Sequence, residues 1–325
     1  MKYRRLGRTN FEVSEIGYGA WGVGGMQWLG GSDEESSRAL RRAIELGVNF
    51  IDTALAYGEG HSEQLVGEVV REAPGKVFVA TKVPPKNELW PAQPGIGIKE
   101  VFPDDYIMSC TEQSLRNLKM ETVDVLQLHV WNPEWIREDD WRRAIDALKR
   151  SGKVRAFGVS INDHQPDSAI ELIETGLIDT VQAIYNVFDQ SPERNLFPAC
   201  RRHDIGVLAR VPLDEGALTG TITSSTKFEK DDFRAFYFRG DRKKEVVEHV
   251  NALRKDLHGI EGPQGTLAEI ALRFCLSHPA VSTVIPGMRR VKNVEANARL
   301  PERGALPERV LAILRRHAWD KDYYS

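Results

Sequence analysis

The run Val48-Asn49-Phe50-Ile51-Asp52-Thr53-Ala54-Leu55-Ala56-Tyr57-Gly58 reads as a short buried strand that delivers an acid at its end, followed by a loop that carries a tyrosine. Two later runs repeat the design. Val77-Phe78-Val79-Ala80-Thr81-Lys82 ends in a lysine, and Val123-Asp124-Val125-Leu126-Gln127-Leu128-His129 ends in a histidine. In a parallel sheet or barrel all strands point the same way, so these termini meet at one face, where barrel enzymes keep their active sites.

Outward from these runs, strands and helices alternate with a regular beat. Ser32 and Glu35 form a capping box for a helix over 33–46, and Ser62 opens a helix that carries Leu65, Val66, Val69 and Val70. Asp104 or Asp105 starts another, and Ser151-Gly152 closes the one containing Trp141, Ile145 and Leu148. Strands follow at 154–159, 180–184, 205–208 and 281–285, with helices at 166–174, 192–203, 241–257 and 266–276 and a final helix pair. With a first strand at 15–19, eight near-continuous apolar strands are each followed by an amphipathic helix, which indicates a parallel sheet covered on its outer face. The expectation is an α/β fold, a (β/α)8 TIM barrel with an N-terminal β-hairpin over residues 2–16 and long βα loops, forming one domain across 1–325.

Composition bounds the function. The 325 residues are 41% hydrophobic and 28% charged with a formal net charge of -3, which points to no nucleic acid and no membrane surface as partner. Neither a signal-peptide core nor an apolar run of membrane-spanning length occurs, so a cytoplasmic location is expected, and the sequence is silent on oligomeric state. Cys110, Cys200 and Cys275 stand apart in helix-like apolar patterns and read as buried free thiols, as suits a reducing compartment.

Gly17-Tyr18-Gly19-Ala20-Trp21-Gly22 matches the G-x-G-x-x-G pattern of dinucleotide-binding sheets, but that fingerprint needs its third glycine to open a helix. The chain continues Val23-Gly24-Gly25-Met26-Gln27-Trp28-Leu29-Gly30-Gly31, which cannot start one, so these glycines more simply let the backbone pass close to something at a barrel mouth. Two stretches interrupt the beat: 84–103, with prolines at 84, 85, 91 and 94 and with Trp90, and 211–240, with Phe228, Phe233, Phe236, Tyr237 and Phe238. Such loops are candidates for substrate walls or lids, and Trp90, Trp131 and residues 221–240 are the candidate lining of an apolar pocket.

Asp52, Tyr57, Lys82 and His129 share one small volume in such a barrel. A lysine beside the tyrosine hydroxyl favours the phenolate and is expected to pull the phenol below its ordinary value of about 10. The carboxylate holds the lysine charged and fixed, and the histidine can hydrogen-bond a substrate oxygen. The set can give a proton to a carbonyl oxygen while hydride reaches its carbon. It lacks a hydrolase nucleophile and the spacing of a metal site. After the last strand, Ile285-Pro286-Gly287-Met288-Arg289-Arg290 runs into a helix through Asn293 and Asn297, a ready anion site in which N–H groups and guanidinium forks can engage phosphate.

The ordered combination of Leu6-Gly7-Arg8-Thr9, Gly17-Tyr18-Gly19-Ala20-Trp21, Asp52-Thr53-Ala54 with Tyr57-Gly58, Lys82, His129, Gly158-Val159-Ser160, Gln182 with Tyr185-Asn186, and Ile285-Pro286-Gly287 resembles the aldo-keto reductase family, NADP-dependent (β/α)8-barrel oxidoreductases. The resemblance covers essentially the whole chain. It implies that Tyr57 is the general acid in reduction of a small carbonyl substrate, that Lys82 tunes it, that Asp52 holds Lys82, and that His129 orients the carbonyl or assists proton transfer. It places Ala20 and Trp21 by the nicotinamide and the substrate, Ser160, Asn162 and Gln182 on the carboxamide, and residues 211–220, with Pro212, Leu213 and Gly216, over the pyrophosphate. Arg289 would reach the adenosine 2′-phosphate, with Gly287 and Met288 beside it as further cofactor-binding residues and Asn293 and Asn297 near the adenine; NADP(H) is expected ahead of NAD(H).

Three departures stand out from the family pattern. Arg210 occupies the place of the aromatic residue that commonly lies under the nicotinamide, Ile161 separates Ser160 from Asn162, and Asn293 stands where many members have an arginine. Two other functions use parts of the same set: a non-catalytic, cofactor-sensing regulatory subunit on this barrel, and a lyase with Lys82 as a Schiff-base amine.

Overall fold

A turn-like cluster at Gly7–Asn10 folds the N-terminus into the expected hairpin. Strands β1 (Tyr3–Arg5) and β2 (Glu12–Ser14) pair antiparallel, with Tyr3 opposite Ser14. The computed structural model describes residues 1–260 and 265–325. Eight further strands form one parallel sheet in chain order: β3 (Tyr18–Gly19), β4 (Phe50–Asp52), β5 (Phe78–Val83), β6 (Val123–Leu128), β7 (Val154–Ser160), β8 (Thr180–Ile184), β9 (Gly206–Arg210) and β10 (Val281–Val284).

The sheet closes on itself. Ile16 bridges Val284 and Gly19 bridges Gly287, both parallel, through Gly17 N–H to the Val284 carbonyl (2.8 Å), Val284 N–H to the Glu15 carbonyl (2.9 Å) and Gly19 N–H to the Pro286 carbonyl (3.0 Å). The glycine run serves this closure and no dinucleotide helix follows it; Trp21–Val23 is a single 3-10 turn. A Cβ on Gly19 would sit 2.6 Å from the Ile285 carbonyl oxygen, inside any tolerable contact. The first strand is therefore shorter than the expected 15–19, and its first half reaches β10 by single bridges.

Two apolar clusters follow from the period-2 alternation of strands. The inward residues Phe50, Ala80, Val125, Ala156, Leu208 and Ile285 fill the barrel, which Leu6, Phe11 and Val13 of the hairpin plug from below. Outward residues such as Ile51, Val79, Leu126, Phe157 and Val181 meet the surrounding helices. One step further up β4, β5, β6 and β9, the inward positions change from apolar to polar, at Asp52, Lys82, Gln127 and Arg210.

The helices start where the sequence signals them, with differences of local chemistry. Ser32 Oγ accepts from Glu35 N–H (3.2 Å) and starts Asp33–Glu45, while the full reciprocal capping box is Thr266 with Glu269, opening Leu267–Ser277. The expected helices at 166–174 and 192–203 each begin as a 3-10 turn, Pro166–Ala169 and Ser191–Glu193, before turning α-helical at Ile170–Thr175 and Leu196–Arg202. Proline in the first turn fixes φ without spending an N–H that a helix would need. Cys110, Cys200 and Cys275 are buried and unpaired. Among the described residues no helix is long and apolar enough to cross a membrane.

Candidate functional site

The polar layer at the upper end of the barrel is set by register. Lys82 lies opposite Gln127, and Ser160 opposite Gln182, so alternation turns Asp52, Lys82, Gln127, Gln182 and Arg210 toward one volume. His129 follows β6 by one residue, its N–H still bonded to the Val83 carbonyl at 3.0 Å. The Tyr57 loop is seated by close backbone approach: a Cβ on Gly24 would lie 2.8 Å from the Tyr57 carbonyl carbon.

Lys82 is fully buried and all three of its ammonium protons are directed. It donates to Asp52 Oδ2 (2.7 Å), the Thr53 carbonyl (2.8 Å) and Tyr57 Oη (3.2 Å). Asp52 is buried too, and its other oxygen accepts from Gln182 Nε2 (2.7 Å) and Gln127 Nε2 (3.5 Å). The two glutamines thus supply what a buried carboxylate lacks when its water is removed. Burial pushes the Lys82 ammonium down, but Asp52 and Tyr57 outweigh it and hold the group charged, with a raised pKa.

Tyr57 departs from expectation. Removal from water raises its phenol and Asp52 adds to the rise; Lys82 and Arg210 pull it back only in part, so the net direction is upward. The phenol consequently remains a proton donor at neutral pH. His129 moves the other way: burial, Lys82 and Arg210 together hold it well below the usual histidine range, so the ring is neutral. Its Nδ1 has no partner, and its ring meets Tyr57 and Trp90 edge-to-face at 5.6 and 4.5 Å.

A neutral buried histidine has a consequence for stability. Below pH of about 6.5 the unfolded chain takes up a proton that the folded site refuses, so stability falls toward acid. Wild type should therefore lose stability relative to His129→Asn as pH drops from 7 to 5. Parallel pH profiles in chemical denaturation would show that His129 titrates as an ordinary histidine.

These groups open into a cleft of about 1280 Å³ that runs from Trp21, Tyr57, Trp90 and His129, past Ser160, Asn162, Gln182 and Arg210, to Pro212, Leu213, Gly216, Gly287, Met288, Arg289 and Asn293. Its size and shape fit an extended ligand. Arg234, Arg289, Arg290 and Lys227 line its far end; burial and the repulsion of Arg234 and Arg290 lower the Arg289 pKa, an environment that an anion relieves. Arg289 donates to the carbonyls of Trp28 (2.8 Å) and Leu29. Phe233 N–H donates to the Gln27 carbonyl (2.8 Å) and Leu29 N–H to Asp232 Oδ2 (3.1 Å), so the loops after β3 and β9 meet across the cleft.

Three expected site residues lie elsewhere. Trp131 is fully buried, edge-on to Trp135 and Trp141, because the chain leaves the barrel axis after His129 and turns out over the helix Asp140–Arg150. Ala20 is fully buried, its N–H bonded to the Asp52 carbonyl and its own carbonyl held by Ser62 Oγ. Asn297, three residues after Val294, shares the core-facing side of the helix Val291–Ala298. None of the three lines the cleft.

Asn162 reaches the cleft but spends its amide on Ala92 and Gln165. Arg210, where an aromatic residue was the family expectation, is tied to the Ile161 carbonyl (3.1 Å) and to Asp163 Oδ1 (2.6 Å). Of the two long loops, 84–103 brings Trp90 to the cleft, and 211–240 divides: Phe228 and Phe233 line it, while Tyr237 and Phe238 are buried. Sequence reasoning missed Gln127, Trp28, Asp163 and Tyr324. Gln127 was readable, two residues before His129 on the same strand face; the others are brought in by loops that carry no local signal.

Comparison with known proteins shows the family and agrees with the fold. The model of the Aldo/keto reductase family matches residues 15–318. The chain is 32% identical over 309 residues to "Aldo-keto reductase YhdN" of Bacillus subtilis, covering 91% of this chain and 87% of that protein. It is 32% identical over 236 residues to the "NADH-specific methylglyoxal reductase" of Escherichia coli, covering 69% and 71%. Among solved structures, the glycerol dehydrogenase AKR11B4 from Gluconobacter oxydans superposes with a TM-score of 0.78 at 28% identity, covering 99% of this chain and 97% of that one.

Proposed function

Because the chain belongs to the aldo/keto reductase family, a family of oxidoreductases, we propose that it reduces an aldehyde or ketone to the alcohol with NADPH, Tyr57 acting as the general acid. The observation that carries this reading is the buried Asp52–Lys82–Tyr57 chain, at 2.7 and 3.2 Å, opening beside a neutral His129 on the cleft. A regulatory subunit needs no phenol poised in this way, and a Schiff-base lyase needs a free amine, whereas Lys82 has all three protons engaged.

When bound, the reduced nicotinamide supplies the hydride to the carbonyl carbon. Ser160 and Gln182, with Trp21, would hold that end of the cofactor; Pro212, Leu213 and Gly216 would flank its phosphates and Arg289 its 2′-phosphate. His129, neutral, donates a ring N–H to the carbonyl oxygen and fixes its direction without taking the proton. Tyr57 Oη passes its proton to that oxygen, and the adjacent ammonium stabilises the phenolate left behind. Asp52, itself held by Gln182 and Gln127, keeps Lys82 charged and in place.

NADPH oxidation followed across a panel of aldehydes, ketones and sugars tests the proposal; no turnover on any of them, with the cofactor bound, would sink it. The preference for NADPH rests on the cationic end of the cleft. Loss of charge-assisted hydrogen bonds at Arg289→Met should weaken NADPH by about ten-fold or more while NADH changes by less than about two-fold. Equal losses for both cofactors would remove Arg289 from the 2′-phosphate.

A further inference from the structure

Past residue 318 the chain lays an extended tail against the segment that follows β9. Trp319 anchors it, its N–H bonded to the Phe188 carbonyl (2.8 Å) and its ring stacked on His249 at 3.7 Å. Lys321 Nζ then donates to Asp214 Oδ1 (2.8 Å) and to Tyr237 Oη (2.7 Å), and Tyr237 Oη bonds Asp214 Oδ1 in turn (3.1 Å). The Lys321 and Asp214 side chains are each only 5% exposed. Three residues on, Tyr324 Oη donates to Glu215 Oε1 (2.7 Å), and Tyr324 itself lines the cleft.

The two acids sit in an unusual stretch of backbone. Val211, Asp214, Glu215 and Gly216 all take positive φ, at 53°, 49°, 53° and 104°. Left-handed geometry is unfavourable for the three that carry a Cβ, most of all for β-branched Val211, and it persists only where surrounding contacts hold it. The contacts here are Asn186 Nδ2 on the Val211 carbonyl (3.0 Å) and the two tail side chains on Asp214 and Glu215.

We propose that Lys321 and Tyr324 are positioning residues for the dinucleotide: through Asp214 and Glu215 they hold residues 211–216 in the path that shapes one wall of its cleft. The proposal rests on the reading that the cofactor occupies this cleft. The tail acts on the cofactor through that wall, so the property it sets is the rate at which the cofactor leaves.

The same wall carries a titratable device. Glu215 is pushed up to about 7 by burial, with Asp214 and Asp163 raising it and Tyr324 and Arg210 opposing. The charged groups facing it are therefore Asp214 on its own segment, Arg210 at the end of β9, Asp163 after β7 and Tyr324 on the tail, with Lys321 and Tyr237 behind Asp214. A carboxyl raised in the folded state contributes stability while protonated and loses it as pH rises through that value. On this linkage the wall is expected to loosen as pH rises to about 7, and little beyond it.

NADPH release from the intact protein, followed by its fluorescence after a chase with excess NADP+, reads the effect directly. Tyr324→Phe keeps the ring and removes one hydrogen bond, and release should quicken about five-fold. Lys321→Met leaves Asp214 buried without its cation, and release should quicken by about ten-fold or more. In wild type, release should also quicken between pH 6 and pH 8 by more than in Glu215→Gln. If wild type binds NADPH and Tyr324→Phe releases it at the wild-type rate with the same pH dependence, the proposal is overturned, whatever the fate of the less conservative Lys321 variant. A wild-type protein that binds neither NADPH nor NADH would instead overturn the cofactor reading on which the proposal stands.

Discussion

Tyr57→Phe is expected to lower kcat for carbonyl reduction by about 10²–10⁴-fold, the range a positioned general acid contributes, while leaving NADPH binding close to wild type. The substitution removes one oxygen and no volume that packs. The Tyr57 ring keeps its contacts with His129 at 5.6 Å and Trp21 at 6.5 Å, and Lys82 keeps Asp52 and the Thr53 carbonyl. What disappears is the proton that, in the proposed mechanism, passes to the carbonyl oxygen. Steady-state rates with fluorescence titration of NADPH separate the two properties. Unchanged turnover would remove Tyr57 from the role proposed for it, and joint loss of turnover and cofactor binding would point to a disrupted site.

Lys82→Met should affect both chemistry and stability. Lys82 is fully buried and Asp52 nearly so, and removing one member of a buried pair leaves an uncompensated charge at a cost of about 3–5 kcal/mol. Urea unfolding should report a loss of that size. The double variant with Asp52→Asn, which removes the orphaned charge, should recover part of it. Turnover should fall by about 10²-fold or more even where the variant folds, since the phenolate then forms without an adjacent cation. A Lys82→Met protein as stable and as active as wild type would show that the pair serves neither purpose.

The direction of the Tyr57 shift refines how the site works. Charge proximity alone favours a phenolate, which is what a lysine beside a tyrosine suggests when only the adjacent charge is considered. In the folded site, loss of water around the phenol outweighs the lysine. In the proposed mechanism the cation would lower the cost of parting with the proton during reaction, while burial keeps the phenol protonated until then. The same burial, with Lys82 and Arg210, keeps His129 neutral, so donor and orienting group are separated by environment even though they touch.

Much of this was legible in the residues. Near-continuous apolar runs ending at Asp52, Lys82 and His129 gave the strands, their common direction gave the convergence, and amphipathic spacing between them gave the covered barrel, because these patterns are local consequences of backbone geometry. The ordered motifs added the family. Where the reading went astray, the cause was a path that local pattern does not encode. Trp131 continues the alternation of β6 on paper, but the strand has ended and the chain turns outward into a cluster of tryptophans. Asn297 shares helical spacing with a cleft residue yet faces the core beside Val294.

The sequence by itself determined the barrel, the identity of the four ionisable groups at its mouth and the cationic segment after its last strand, since each depends on the order and spacing of nearby residues. Only the tertiary structure decided how those groups are charged and held. Gln127 and Gln182 on Asp52, Asp163 on Arg210, and the tail residues Lys321 and Tyr324 on Asp214 and Glu215 join positions as far as 130 residues apart. Burial and hydrogen bonding act across the folded space, and no property of a single stretch of chain fixes them.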